Sequence, residues 1–262
     1  MKNYRLWGKP PYKVAVIHGG PGAPGSIAPV ARELSLTMGV LEPFQTKASL
    51  EGQIEELAGV LKMRADLPAV LVGHSWGAWL AYFVAVRYPV LVKKLILVGS
   101  GPFRQEDAEN ITPDRLNRLS EKERIEIFDL LDIVSGNDAE VRDKAMARLG
   151  ELWAEADTYD ALPPEIDPEP LPVSDEINRK VWAEAEKLRK SGELLKIAKK
   201  IKCPVVAIHG GYDPHTASGV KEPLSHVLKD FKFILLKKCG HEPWMERYAR
   251  DEFFRILREE IA

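Results

Sequence analysis

Little in this chain could cross-link it, and it carries no excess of charge of either sign. Two cysteines, Cys203 and Cys239, occur in 262 residues, so disulfides do not hold the fold, and a reducing cytoplasm is the expected compartment. Those two are not expected to pair either. They should lie at opposite ends of neighbouring parallel strands, roughly 15 Å apart if about five residues of strand separate them. With 37 basic side chains against 39 acidic ones, the net charge is −2. That balance offers nothing to a nucleic acid or an anionic membrane surface. No His-Glu-x-x-His or Cys-rich spacing suggests a metal site, and no cofactor is expected. The first five residues lack the apolar stretch of a signal peptide. Repeats and low-complexity segments are absent. The longest uncharged run, residues 67–86, is about long enough to span a bilayer. Pro68, Gly73 and His74 interrupt it, and it reads instead as strand, turn and helix.

What is present is the composition of a soluble globular protein, 45% hydrophobic and 29% charged. Short apolar strands alternate with helices in two blocks. The first block reads as strand 12–17, helices 27–38 and 50–64, strand 69–72, helix 76–88 and strand 94–98. The second reads as strand 205–209, a helix around 221–228, strand 232–236 and helix 244–260. Such alternation predicts an α/β fold, a mostly parallel twisted sheet with helices on both faces. Between the blocks, residues 101–200 are charged and strand-poor, with amphipathic helices predicted over 121–134, 138–156 and 175–190 and a Pro-rich stretch over 162–172. An insert this long is not a plain loop. The expected organisation is a core of residues 1–100 and 201–262, with residues 101–200 as a helical cap over the carboxyl ends of the strands, where open α/β sheets keep their ligand sites.

Gly73-His74-Ser75-Trp76-Gly77 sits where an apolar strand hands over to an amphipathic helix. A serine at such a tip is held in strained backbone, and flanking glycines remove the Cβ atoms that would clash as the helix doubles back. A hydroxyl there serves as a nucleophile. Other loops follow other strands: His18-Gly19-Gly20-Pro21-Gly22 after the first, Gly210-Gly211-Tyr212-Asp213-Pro214 and Cys239-Gly240-His241-Glu242-Pro243-Trp244 after the last two. In a parallel sheet these loops emerge at one edge and converge. Ser75 needs a base, and His241 is the candidate. Asp213 would fix the tautomer of His241 and stabilise its imidazolium. The backbone N–H groups of Gly20 and Trp76 are the candidates for an oxyanion hole.

The HGGPG loop, the GHSWG elbow, Asp213 and Gly240-His241 together resemble the α/β-hydrolase superfamily over nearly the whole chain. The loop and elbow are more specifically similar to those of the proline iminopeptidase group. The wider resemblance implies an eight-stranded sheet, a Ser-His-Asp triad and no metal. The narrower one implies removal of N-terminal proline from peptides. Only about twelve residues precede the first clear strand, so the leading hairpin is shortened or missing.

Among the remaining histidines, His18 is expected to brace the Gly-rich loop and His74 to lie in the core or behind the nucleophile. His209 ends a strand, and His215 and His226 are expected at the surface. Trp76 and Trp244 are expected to line a pocket. Glu165, Asp167 and Glu169 read as a solvated loop that could otherwise pair with a substrate ammonium. The expected function is a serine hydrolase acting on an ester or amide of a small molecule or short peptide. Two readings stand beside it: a proline iminopeptidase-type aminopeptidase, and a ligand-binding or sensing protein that retains the triad. Neither nucleic acid nor membrane is an expected partner.

Overall fold

A computed structural model describes residues 2–136, 138–163 and 171–262. Among those residues, seven strands form one sheet: β1 (Tyr4–Trp7), β2 (Val14–Ile17), β3 (Val40–Pro43), β4 (Ala69–His74), β5 (Val92–Val98), β6 (Val205–Gly210) and β7 (Phe231–Leu236). Their spatial order is β1-β3-β2-β4-β5-β6-β7. Only β1 runs antiparallel, against β3; all other neighbours are parallel. The sheet has seven strands where the resemblance implies eight, because a single strand precedes the parallel series. β1 and β3 were not visible as apolar runs. Each is four residues long, and β3 carries Glu42 and Pro43.

Strand alternation sorts the core into two layers. Val14, Val16, Val70, Val72, Ile96, Val98, Val206 and Ile208 face α1 (Ala28–Leu34) and α10 (Arg250–Ile261). Ala15, Ile17, Leu71, Leu95, Leu97, Val205 and Ala207 face α2 (Leu50–Arg64), α3 (Trp76–Arg87), α8 (Glu193–Lys196) and α9 (Ser218–Val227). The chain between β5 and β6 holds α4 (Ile111–Arg118), α5 (Glu121–Val134), α6 (Ala139–Asp157) and α7 (Asp175–Lys190). Three of these start at side-chain caps. Ser120 and Glu123 form a capping box, Asp138 accepts from the Val141 N–H, and Ser174 accepts from the Ile177 N–H. α5 and α6 bury Ile127, Leu130, Ala145, Leu149 and Leu152 in a third, smaller cluster.

The last helix starts at Arg250 rather than near residue 244, because residues 243–245 form a 3₁₀ turn. The Glu246 side chain after that turn is spent on three backbone N–H groups outside the helix. No helix among the described residues is long and apolar enough to cross a membrane.

The turn from β4 to α3 is a close backbone crossing. A Cβ on Gly73 would stand 2.2 Å from the Gly77 carbonyl oxygen, and one on Gly77 would stand 2.3 Å from that of Ile17. Backbone cannot move aside as a flexible side chain can. Gly77→Ala should therefore cost on the order of 2–3 kcal/mol. By contrast, nothing lies within 4 Å of a Cβ at Gly59, inside α2, and Gly59→Ala should stabilise the fold by roughly 0.5–1 kcal/mol. Urea unfolding of the two variants tests the contrast; equal midpoints would refute it.

Candidate active site

Ser75 joins β4 to α3 with φ 52° and ψ −115°. Ser75 and Lys238 are the two non-glycine residues of positive φ among those described, a conformation that costs on the order of 1–3 kcal/mol. Two hydrogen bonds over-determine it. The Ser75 N–H donates to the Val98 carbonyl at 3.0 Å, and the Ser75 carbonyl accepts from the Ala78 N–H at 3.1 Å.

The loop after β7 brings His241 to this turn. The His241 Nδ1–H donates to Asp213 Oδ2 at 2.8 Å, since an ionised carboxylate only accepts. That bond assigns the ring proton to Nδ1 and leaves the Nε2 lone pair free. The backbone of His241 is pinned from two sides. Its N–H donates to the Asp157 carbonyl at 2.9 Å, and the His74 Nε2–H donates to its carbonyl at 3.1 Å. Gly99, with φ +51°, lets the ring approach: a Cβ there would stand 2.7 Å from the His241 carbonyl oxygen.

Asp213 is buried to 6% exposure and serves more than one imidazole. Its Oδ1 accepts from the His215 backbone N–H at 2.9 Å and from His215 Nδ1–H at 2.8 Å. His209 Nε2 lies 3.5 Å from Oδ2. The His215 ring stacks on that of His241 at 4.4 Å and 25°. Burial alone would raise the Asp213 pKa, but His241, His215 and His209 outweigh it and hold the group well below the carboxylate range. For His241, burial lowers the pKa and the Asp213 charge and hydrogen bond more than restore it, so it lies above 6.5. His215 was expected at the surface; the structure sets it against Asp213 instead. The Asp-Pro-His spacing, which lets one carboxylate reach a backbone N–H and a ring two residues on, was the signal available.

Burial keeps the imidazoles of His18, His74 and His209 neutral. His18 is pushed down to about 4. Its Nδ1–H donates to the Gly19 carbonyl at 2.9 Å, and its Nε2 accepts from the Gln45 N–H at 3.2 Å, so it braces the Gly-rich loop. His74 lies edge-on to Trp244 and beside His241. His226 is exposed.

A cavity of about 220 Å³ opens at Ser75. Gly19, Gly20, Ser26, His74 and His241 line its core side, and Arg115, Trp153 and Asp157 line it from the helical insertion. Gly20 lines the cavity together with Ser75. Trp76 opens α3, so its N–H is one of the helix's first-turn donors that lack an intrahelical partner. Its indole is fully buried and donates to Gln53 Oε1 at 2.9 Å. Neither Trp76 nor Trp244 is among the lining residues. Trp244 is 2% exposed and packs on His74 and Phe253; the tryptophan at the cavity is Trp153. Glu165, Asp167 and Glu169 lie outside the described residues.

Asp157, His215 and His241 bring ligand-type atoms within 4.8 Å of one another. The Asp157 carboxylate, however, holds the Arg115 guanidinium, and the Nδ1 atoms of both imidazoles are taken by Asp213. The carboxylate of that group is thus already paired with a guanidinium.

The model of the alpha/beta hydrolase family matches residues 18–256. The pimeloyl-acyl-carrier-protein methyl ester esterase of Chromobacterium violaceum is 25% identical over 218 residues, 79% of this chain and 75% of that one. The sn-1-specific diacylglycerol lipase ABHD11 of Mus musculus is 37% identical over 60 residues; the match spans 23% of this chain and 20% of that protein. Among solved structures, that of VinJ is similar with a TM-score of 0.67 at 18% identity, covering 98% of this chain and 93% of that one. At such identity the likeness is one of fold.

The neutral imidazoles give the folded chain an acid sensitivity. His18 and His215 both have pKa values of about 4, whereas the unfolded chain protonates them near 6.5. Between those values the unfolded state binds more protons, so stability rises with pH and is lost on acidification. His241, raised above 6.5, is protonated in both states over this window and does not offset the loss. Urea unfolding at pH 6.5 and pH 5 should show a loss on the order of 1.4 kcal/mol per pH unit for each imidazole kept neutral. Unchanged midpoints would contradict the burial argument.

Proposed function

The chain belongs to the alpha/beta hydrolase family, and we propose that within it the chain is a serine hydrolase that cleaves an ester or amide of a small molecule or short peptide through an acyl-Ser75 intermediate. The observation that carries this reading is the sharing of one cavity by Ser75, at positive φ, and His241, whose Nδ1–H is bonded to a buried Asp213. In the first step the Ser75 Oγ attacks the carbonyl carbon while His241 Nε2 takes its proton. The oxyanion that forms is met by the N–H groups of Gly20 and Trp76. Collapse expels the alcohol or amine, which takes the proton back from His241. Water, deprotonated by His241 in turn, then attacks the acyl-enzyme and frees Ser75. Asp213 stays ionised throughout and stabilises the imidazolium. Esterase and lipase relatives favour ester over amide.

A second reading, release of N-terminal proline, is favoured by one observation. Glu242 lines the same cavity and could meet a substrate ammonium, although burial pushes its carboxyl up to about 7. The two readings separate on p-nitrophenyl butyrate against prolyl-p-nitroanilide. Butyrate hydrolysis is expected, and Ser75→Ala should lower kcat by at least about 10³-fold. Anilide cleavage by the wild type alone would favour the aminopeptidase. Turnover of neither above the Ser75→Ala background would sink the hydrolase reading.

His241 must be neutral to accept the proton, and its pKa lies above 6.5. Accordingly kcat/KM should fall as pH drops through a value higher than the 6.5 of an ordinary imidazole. An acid limb at or below 6.5 would contradict the electrostatic role given to Asp213.

A further inference from the structure

Two hollows meet beneath the helical insertion. The smaller, about 220 Å³, holds Ser75 and His241. The larger, about 570 Å³, is bounded by Ile111, Met146, Trp182 and His215 among others. Arg115 belongs to the walls of both. Its Nε donates to Asp157 Oδ1 at 2.6 Å and its Nη2 to Oδ2, a planar fork onto a carboxylate buried to 3% exposure. The guanidinium also lies 5.4 Å over the Trp153 ring, which lines the smaller hollow.

Both partners of the fork are anchored. Through its own carbonyl, Asp157 holds the His241 N–H. α4, which carries Arg115, buries no side chain fully; besides the fork, its Arg118 Nη1 donates to the Ala156 carbonyl at 3.1 Å. Below the fork, the partition continues as the stacked rings of His215, on the large side, and His241, on the small side.

We infer that Arg115 is a specificity-determining residue: forked onto Asp157, it closes the nucleophile's hollow against the larger one and limits the acyl group to short chains. This rests on the serine-hydrolase reading and names its substrate class. A water-sized group occupies roughly 30 Å³, so about 220 Å³ takes the five heavy atoms of a butyryl group, whereas the nine of an octanoyl group overrun it. A longer chain that stays buried must enter the larger hollow, and to do so it must part a guanidinium from a buried carboxylate. Stranding that carboxylate is unfavourable, so the wall stays shut to apolar chains, which offer Asp157 no replacement donor.

The test is the chain-length profile of p-nitrophenyl esters, read as the ratio of kcat/KM for octanoate to that for butyrate. It is measured in the wild type, in the double variant Arg115→Met/Asp157→Asn, which strands no charge, and in Arg115→Lys. The same samples are treated with a fluorophosphonate, and labelling of Ser75 is read by intact mass. The wild-type ratio should lie below one tenth, and the double variant should raise it by at least about tenfold. Arg115→Lys, which keeps the charge but loses the fork, should raise it less. If the double variant does not fold, Arg115→Lys decides alone. An unchanged ratio in the folded variants, or a wild type as fast on octanoate as on butyrate, overturns the role of Arg115. A chain that neither labels nor hydrolyses any ester overturns the serine-hydrolase reading itself.

Discussion

Where β4 turns back into α3, the backbone runs past itself so closely that a Cβ at Gly73 would stand 2.2 Å from the Gly77 carbonyl oxygen. That approach places Ser75 at the tip of the turn with a positive φ. The strain persists because its surroundings leave the chain no alternative. β4 is paired on both edges, by β2 and β5, and buried along its whole length. α3 is buried over most of its surface by Trp76, Trp79, Tyr82 and Phe83. The two-sided core thus acts on the site through one residue. Loosening the sheet would let Ser75 relax to an ordinary turn conformation and withdraw its hydroxyl from the cavity.

The base is positioned by different physics. His241 stands on a loop, and loops have no ladder to hold them; polar contacts do that work here. The Asp157 carbonyl takes its N–H, His74 takes its carbonyl and Asp213 takes its ring. Beside it, the Glu246 carboxylate accepts from the N–H groups of Gly240, Tyr159 and Asp160 at 2.6, 2.8 and 2.9 Å. One buried side chain therefore clasps the chain just after α6 to the loop that carries His241. A buried carboxylate is tolerated only when its lone pairs are filled. Filling them from two segments is what joins those segments.

How much of this was legible in the sequence varied with length and periodicity. α5 and α7 were read with the bounds they have, because each is long and amphipathic. The elbow, the Gly-rich loop, Asp213 and His241 were found because each directly follows a strand, and the parallel sheet does bring those loops to one edge. β1 and β3 were missed because four residues cannot establish a period, and β3 buries Glu42 where an apolar residue would have marked it. His215 was misplaced because the geometry of a Tyr-Asp-Pro-His turn is decided by which carboxylate oxygen faces which donor. Trp244 was misplaced for a related reason. Nearness in sequence to His241 says nothing about which side of the loop an indole takes, and this one turned into the core beside Phe253. Arg115 and Asp157 lie 42 residues apart on different helices, a pairing that no local pattern records.

The sheet and the α4–α6 part of the helical insertion differ in what holds them, and the difference bears on what each can do. The layers against the sheet are held by buried apolar area, which favours closeness without dictating direction. Within the insertion, α7 buries Val181 and Ala185 in the core layer over α3, whereas α4 to α6 have a small apolar cluster of their own. These three are tied by forks and clasps: Arg115 on Asp157 and Arg118 on Ala156 between α4 and α6, and Glu246 on the 159–160 backbone. Such contacts add little net stability once desolvation is counted, but they fix orientation, and each fails outright when one partner is removed. A surface built this way can change its wall by a single side chain while the nucleophile stays where the sheet puts it. Asp157 marks the limit of that independence. Its side chain belongs to the wall and its carbonyl to the base, so the wall can be re-cut at Arg115 more freely than at Asp157 itself.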